Sequence, residues 1–298
     1  MLEQQPATKD AQMTLPSDAD ALNEIAQNTR NNAVLGKLAL QVQIRSYWNQ
    51  ELAKPRNRDP KRLLGYGAKV YSQGDEDGQI AEIFRRIGCA SKVFVEFGVQ
   101  GGIECNSLKL LLEGWQGVWF EGDGDAVQRI ETTHRTWLAT DQLRVRPAFI
   151  TAENIDGLIA ETAHTTDVDL LCIDVDFNDY WIWRAIACVR PRVVVIEYNP
   201  VWAPPLSVVV PYAPDGRWNG DNYFGASLGA LVTLGAAKGY SLVGCSFTGA
   251  NAFFVRNDLC ADHFVKPATA EEHYEPARYF FAQLSTGHEP AIGPLVTV

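Results

Sequence analysis

Val93-Phe94-Val95-Glu96-Phe97-Gly98-Val99-Gln100-Gly101-Gly102, followed by Gly117-Val118-Trp119-Phe120-Glu121-Gly122-Asp123, is the stretch that decides how this chain folds. An apolar run of strand length carries an acid near its end and breaks into glycines, where backbone has to pass close to another group. A helix starting near Asn106 leads into the second strand, Gly117–Phe120, which is tipped by Glu121. An acid at the end of that strand is placed to accept hydrogen bonds from both hydroxyls of a ribose. The pattern predicts a nucleoside pocket at the carboxyl ends of parallel strands.

The glycine spacing narrows the ligand. A dinucleotide turn, G-x-G-x-x-G, seats a pyrophosphate on a helix N-terminus. Gly98-x-x-Gly101-Gly102 lacks that spacing. Glu96-x-Gly98-x-x-x-Gly102 resembles instead the E/D-x-G-x-x-x-G turn of class I S-adenosylmethionine-dependent methyltransferases, whose ligand has no phosphate. Taken alone, the glycines fit an ordinary tight turn equally well. The resemblance implies S-adenosylmethionine as cofactor, with Glu96, Gly98, Gly101, Gly102 and Asn106 around its methionine moiety and Glu121 and Gly122 at its ribose. Phe149–Thr151 would flank adenine, with Thr151 in contact. Ser72 and Gln73, just upstream of the first strand, would fold over the methionine end.

The 298 residues, 46% of them hydrophobic, suffice for one large core plus a helical extension. A formal charge of −10 with no block of Lys or Arg argues against nucleic acid or an anionic membrane as partner. The six cysteines form no C-x-x-C pair and read as buried thiols of a reducing cytoplasm. No basic segment followed by an apolar one marks a signal peptide, and no apolar run reaches membrane-spanning length.

Residues 1–18 read as a disordered tail, 19–64 as a helical extension and linker, and 65–298 as the cofactor-binding domain. Leu22, Ile25, Leu35, Leu38, Val42, Ile44 and Trp48 recur among polar residues, which predicts a helix or a helical hairpin broken around Gln27–Asn32. Such an extension can support a homo-oligomer, cover the site or pack on the main domain. A helix ending at Gly88 follows the polar turn Tyr71–Gly78, with Asp75 or Asp77 as its natural N-cap. Further strands are expected at Leu143–Ile150, Val168–Ile173 and Val193–Glu197, a helix from about Ala226 to Lys238, and an antiparallel hairpin of Ser241–Phe247 and Asn251–Arg256. Together these predict an α/β, doubly wound, Rossmann-like sheet with one reversed C-terminal strand.

Strand four emerges into Ile173-Asp174-Val175-Asp176-Phe177-Asn178-Asp179, and strand five into Ile196-Glu197-Tyr198-Asn199. Both belong at the same crevice as Glu96 and Glu121. So many acceptors repel one another unless a cation or donors offset them. Asp174, Glu197 and Asn199 offer hard oxygens for Mg²⁺ or Mn²⁺, and Asp176 can take a proton from an acceptor hydroxyl. Helix capping by Asp174 and Asn178 is the plainer alternative, with Tyr180, Trp181 and Trp183 on the packed face.

Tyr71–Gly78, Phe94–Ser107, Gly117–Asp123, Asp174–Trp183, Ile196–Asn199 and Gly225–Leu231 together resemble a bacterial methyltransferase family related to the FkbM type. Asp174-x-Asp176 is also similar to the D-x-D of macrocin-type sugar O-methyltransferases, whose first Asp binds Mg²⁺ and whose second is the base. Strand five of that family ends in Asp-Asp, where this chain has Glu197-Tyr198. The resemblance implies O-methylation of a sugar or natural-product hydroxyl on a small-molecule or glycan acceptor, with Asp176 as base and Asp174 at the cofactor and the metal. An NAD-dependent oxidoreductase and a non-catalytic nucleoside-binding scaffold are the rival expectations. Five scattered histidines, none in the acidic cluster, speak against the first. The aromatic segment Tyr198–Trp218 would be the interaction surface of the second.

Overall fold

The computed structural model describes residues 18–162, 167–281 and 287–298. The expected tail falls outside these residues except for Asp18, which begins helix α1, Asp18–Ala53. The helix runs unbroken through Gln27–Asn32, where the sequence pattern predicted an interruption. That segment loses its apolar periodicity but contains no Gly or Pro, and Gln27 Nε2 donates to Asn31 Oδ1 at 3.1 Å, one turn away. Val34, Leu35, Leu38 and Val42 are each more than half exposed. Contacts group the chain into two units, one ending at Glu51 and the other spanning Leu52–Val298.

In the larger unit α2, Glu76–Ile87, precedes β1, Val93–Phe97. The β–α alternation continues with α3, Leu108–Leu112, and β2, Gln116–Glu121. Next come α4, Gly124–Thr133, α5, Arg135–Ala139, and β3, Leu143–Pro147. They are followed by α6, Ile155–Thr162, and β4, Leu170–Ile173, and then by α7, Asp179–Ala185, and β5, Val193–Glu197. A short strand β6, Val208–Val209, and helix α8, Leu228–Lys238, lead into the hairpin of β7, Tyr240–Cys245, and β8, Asn251–Arg256. The chain ends through α9, Asn257–Cys260, α10, Ala270–His273, and β9, Val296–Thr297.

Seven strands form one sheet in the order β3-β2-β1-β4-β5-β8-β7. β1 to β5 are mutually parallel, and β8 runs antiparallel to both β5 and β7. This is the class I methyltransferase layout, a doubly wound Rossmann-like sheet with one reversed strand, and α1 extends it at the N-terminus. The central strands are apolar on both faces because both are covered. Val95 and Phe97 join one core cluster, and Phe94 joins the other.

Several boundaries differ from those read in the sequence. β3 stops at Pro147 rather than Ile150, β4 starts at Leu170 rather than Val168, and the helix expected near Asn106 is a five-residue turn from Leu108. Asp75 holds the N-cap position of α2 without making a capping bond. Its carboxylate accepts instead from Phe247 N and Gln79 Nε2. β6 and β9 pair into a small ribbon that no sequence pattern signalled. Among the described residues no helix is long and apolar enough to cross a membrane.

The strand order reverses between β1 and β4, which is where a doubly wound sheet opens a crevice. Gly98 lies just past the end of β1 at φ +73°, and a Cβ there would stand 1.6 Å from the Asp174 carbonyl oxygen just past β4. Gly98→Ala is therefore expected to force the two strand tips apart and to destabilise the fold by about 2–4 kcal/mol, combining positive-φ strain with a backbone clash. Urea unfolding of the variant against the parent measures it, and a loss under about 0.5 kcal/mol would show that the tips yield easily.

Candidate functional site

Two cavities open at the carboxyl ends of the strands and share Gln100, Asp174, Asp176 and Trp218 in their walls. The first is a cleft of about 310 Å³ bounded by Gly98, Phe120, Glu121, Gly122, Phe149 and Ile150, with Arg217 and Trp218 opposite. The second, about 150 Å³, is lined by Gln73, Glu76, Asn251 and Glu197 and by Trp218, Phe224, Tyr279 and His288.

Glu121, at the end of β2, is 8% exposed. Its Oε2 accepts from Gln100 N at 2.6 Å and its Oε1 from Asp123 N at 2.9 Å. Each oxygen keeps a second lone pair for a ligand hydroxyl. Gln100 presents its N–H by adopting φ +50°, a conformation few side-chain-bearing residues hold. The Arg217 guanidinium stacks 4.7 Å from the centre of the Phe149 ring, so the insertion after β5 reaches across the cleft.

Glu96 is spent within its own loop. Its Oε1 accepts from Asn106 N at 2.8 Å, and its Oε2 from Ser107 N at 2.9 Å and from the Ser107 hydroxyl. Trp119 Nε1 in turn donates to that hydroxyl at 2.8 Å. Burial pushes the Glu96 carboxyl up against the lowering effect of these donors. Glu96 and Asn106 line a small cavity with Gln73, Gly98 and Asp174. They thereby fix the shape of the turn beside the cleft.

Other residues expected at the cofactor lie elsewhere. Gly102, at φ +69°, is required by a core side chain, since a Cβ would stand 2.6 Å from Trp119 Cζ3. Gly101 has space around it, and neither glycine borders the cavities. Ser72 is fully buried and bonded to Asp77, whose Oδ2 also accepts from Val70 N, Tyr71 N and Ser72 N. Thr151 pairs with Asn154 at the start of α6 instead of facing the cleft. Gln73 does border the second cavity.

The acids at the tips of β4 and β5 converge. Asp174, Asp176 and Glu197 each bring a carboxylate oxygen within 4.8 Å of the others. Asn199, expected as a third metal ligand, is fully buried and holds the following loop in shape. Its Nδ2 donates to the Asn222 and Phe224 carbonyls, and its Oδ1 accepts from Val201 N. Asp176 takes its place in the triad, at φ +62° on the crevice rim. Capping does not account for these acids, because Asn178 stands at the N-cap of α7 without a side-chain capping bond and its amide donates instead to the Ala213 carbonyl at 2.7 Å.

The charge is poorly compensated. The Glu197 Oε2 and Asp179 Oδ2 atoms are buried without hydrogen-bond partners. At an effective dielectric of about 20, two carboxylates about 5 Å apart repel by roughly 3 kcal/mol. Burial and then the Asp176 charge push Asp174 well up, and burial and then Asp174 do the same to Glu197. Burial and the Glu121 charge raise Asp176. Asp179 accepts from Val175 N at 2.9 Å, yet burial still lifts it to about 7.

The aromatic wall includes a histidine that the sequence gave no reason to place there. His288 packs against Tyr279 at 4.6 Å and edge-on to Trp218 at 4.8 Å between ring centres. Burial lowers its pKa, which favours the neutral ring. His288 comes from the C-terminal segment, which carries no motif, and lines the same cavity as Asp174, Asp176 and Glu197 without being one of that triad.

No protein-family model matches the sequence, and no curated protein matches it. Among solved structures the chain is similar to the pyocyanin biosynthetic protein PhzM, with 12% identity over 59% of this chain and 53% of that one and a TM-score of 0.36. It thus spans about half of that protein's length. It is also similar to the magnesium protoporphyrin IX methyltransferase ChlM from Synechocystis PCC 6803 with bound SAH, at 12% identity, 64% and 90% coverage and a TM-score of 0.38. The methyltransferase domain of bacterial CtHen1-C gives 12% identity, 62% and 97% coverage and a TM-score of 0.42. Likeness at this level assigns no reaction.

Asp179 permits a direct check of the charge imbalance. With a folded pKa near 7 against an ordinary 3.8, the folded state holds more protons than the unfolded one between those values, so stability falls as pH rises through that window. Asp179→Asn keeps an acceptor for Val175 N and removes the titration. Its stability relative to the parent is expected to grow from about pH 4 to about pH 7, by up to roughly 4 kcal/mol. Denaturant unfolding in EDTA across that range reads it, and a flat difference would mean that the carboxylate is compensated.

Proposed function

We propose that this protein is an S-adenosylmethionine-dependent methyltransferase acting on a hydroxyl, and Glu121 in the larger cleft is the observation that carries the reading. Each of its oxygens is held by one backbone N–H and retains one lone pair toward the cleft, which suits the two hydroxyls of a ribose. Phe149 and Ile150 supply apolar surface for adenine. A pyrophosphate fits poorly: acids Glu121, Asp123, Asp174 and Asp176 border the cleft, and Arg217 is its one basic neighbour among the described residues. This favours a sulfonium nucleoside over NAD.

Transfer from a sulfonium needs chiefly proximity and alignment, so the protein has to hold the acceptor and receive its proton. Asp176 borders both cavities, and its raised pKa makes it a stronger base than an ordinary carboxylate. The acceptor hydroxyl would enter the smaller cavity, with Asp176 between it and the cofactor cleft. A sugar or natural-product hydroxyl fits the amide, acid and aromatic walls there. The free thiols of all six cysteines agree with a reducing cytoplasm. The exposed Val34, Leu35, Leu38 and Val42 of α1 would be covered by a second copy in a homo-oligomer.

The convergence of Asp174, Asp176 and Glu197 favours a second reading of the same site, in which these three hold Mg²⁺ or Mn²⁺. The donor set fits a hard cation, and the unpartnered Glu197 Oε2 is an acceptor that such an ion would satisfy. When bound, the ion would lower the pKa of an acceptor hydroxyl. Asp176 would then serve as ligand, leaving proton removal to a neighbouring group or to water.

Calorimetry decides the cofactor. The purified chain should bind S-adenosylhomocysteine and not NAD, and Glu121→Ala should weaken binding by about 1.5–3 kcal/mol. Heat with NAD and none with S-adenosylhomocysteine would sink the reading, and binding without turnover on any acceptor would favour a scaffold. For the base, Asp176→Asn is expected to keep cofactor affinity and lose roughly 10²–10⁴ in turnover. The same assay in EDTA separates the two readings: undiminished activity supports Asp176 as a free base, and a loss restored by Mg²⁺ or Mn²⁺ supports the metal.

A further inference from the structure

Two residues that line the smaller cavity, Glu197 and Tyr279, each carry a buried polar atom with no partner. Glu197 Oε2 comes from the tip of β5, and the Tyr279 hydroxyl from the segment after α10. Burial and the Glu197 charge both push the Tyr279 phenol up, so the two groups lie within electrostatic reach and the phenol stays protonated. An unpartnered acceptor oxygen and an unpartnered donor hydroxyl on two residues lining one cavity match a ligand group that both gives and takes a hydrogen bond. A hydroxyl does this, and a carboxylate or a phosphate dianion does not.

The surrounding charge points the same way. Glu76, Asp174, Asp176 and Glu197 border the cavity, and no lysine or arginine among the described residues does. Glu76 is already engaged by Gly74 N and Asn251 Nδ2, which leaves the other three carboxylates facing the ligand space. His288 and Trp218 close the remaining side with aromatic surface, which packs on the C–H face of a ring and offers no counter-charge to an anion.

We infer that Tyr279 and Glu197 form the hydroxyl-recognition pair of the acceptor site, and that with His288 and Trp218 they select an uncharged, hydroxyl-bearing acceptor and reject its phosphorylated or carboxylated counterparts. This rests on the methyl-transfer reading and adds the acceptor residues and their selectivity. The group bound by the pair is either the reacting hydroxyl or its neighbour. In both cases the pair fixes how the acceptor stands relative to Asp176.

The full chain saturated with S-adenosylhomocysteine tests this by saturation-transfer NMR. The probes are neutral methyl hexopyranosides and inositol, set against glucose 6-phosphate and glucuronate. Ring-proton signals are expected from neutral probes, with affinity at least tenfold above that of the anions. Tyr279→Phe should reduce neutral-probe affinity about tenfold while leaving S-adenosylhomocysteine affinity unchanged. Because that variant removes one oxygen, an unaltered melting curve confirms that it folds, and His288→Ala provides a second variant expected to lose the same signals. Equal or better binding of the anions, no binding of any neutral probe, or an unchanged Tyr279→Phe would overturn the proposal. If S-adenosylhomocysteine itself does not bind, the methyl-transfer reading falls and takes this one with it; if it binds and the probes are not discriminated, this one falls alone.

Discussion

The close approach of Gly98 to the Asp174 carbonyl is the constraint on which the rest of the site depends. A sheet whose order reverses between β1 and β4 leaves a crevice at their carboxyl ends, and its usefulness depends on how tightly the two tips stay together. With no side chain at Gly98, the backbone turns at φ +73° against β4. Asp174 is thereby set beside the larger cleft as well as the smaller cavity. A residue with a Cβ would widen that junction and move apart the two cavities that Asp174 borders.

The acids show what the arrangement costs. A fold optimised for stability would not bury Asp179 and Glu197 with open oxygens next to Asp174, because each unpaired atom forfeits hydration. The charges remain at strand tips, and the molecule spends stability to keep strong acceptors in one crevice. Contrast Asp169, equally buried, which takes up the N–H groups of Ala90, Ser91 and Lys92 and sits 3.3 Å from Arg192 Nε. Asp169 braces the sheet with its acceptors filled, whereas Asp179 and Glu197 keep an open oxygen just past β4 and at the tip of β5.

Legibility in the sequence followed the range of the interactions. The alternation of strands and helices, the reversed strand and the position of Glu121 rest on local periodicity and spacing, and each was readable. Glu96, Gly102 and Ser72 each obey a ligand-binding pattern, and each is also engaged by a neighbour in the fold, which no local pattern reveals. Ser107 takes Glu96, Trp119 requires Gly102, and Asp77 holds Ser72. Asn199 is engaged in the same way, since its amide donates to the carbonyls of a loop more than twenty residues on. Tyr279 and His288 could not be found at all, because nothing in the sequence near them marks a site and only tertiary packing brings them there.

That packing has a definite source. The segment bearing Tyr279 is anchored on the turn of the β7–β8 hairpin: Arg278 N donates to the Thr248 carbonyl at 2.8 Å, and its guanidinium donates to the Phe247 carbonyl and to Glu275 while lying 4.3 Å over the Phe247 ring. Tyr198, directly after Glu197, donates its hydroxyl to the Glu275 carbonyl at 2.6 Å. Gly249 leaves room for this, since a Cβ there would stand 2.4 Å from the Pro276 carbonyl oxygen. The reversed strand therefore does more than close the sheet. Its turn fixes the C-terminal segment against the tip of β5, which is how a phenol distant in sequence comes to share a cavity with Glu197.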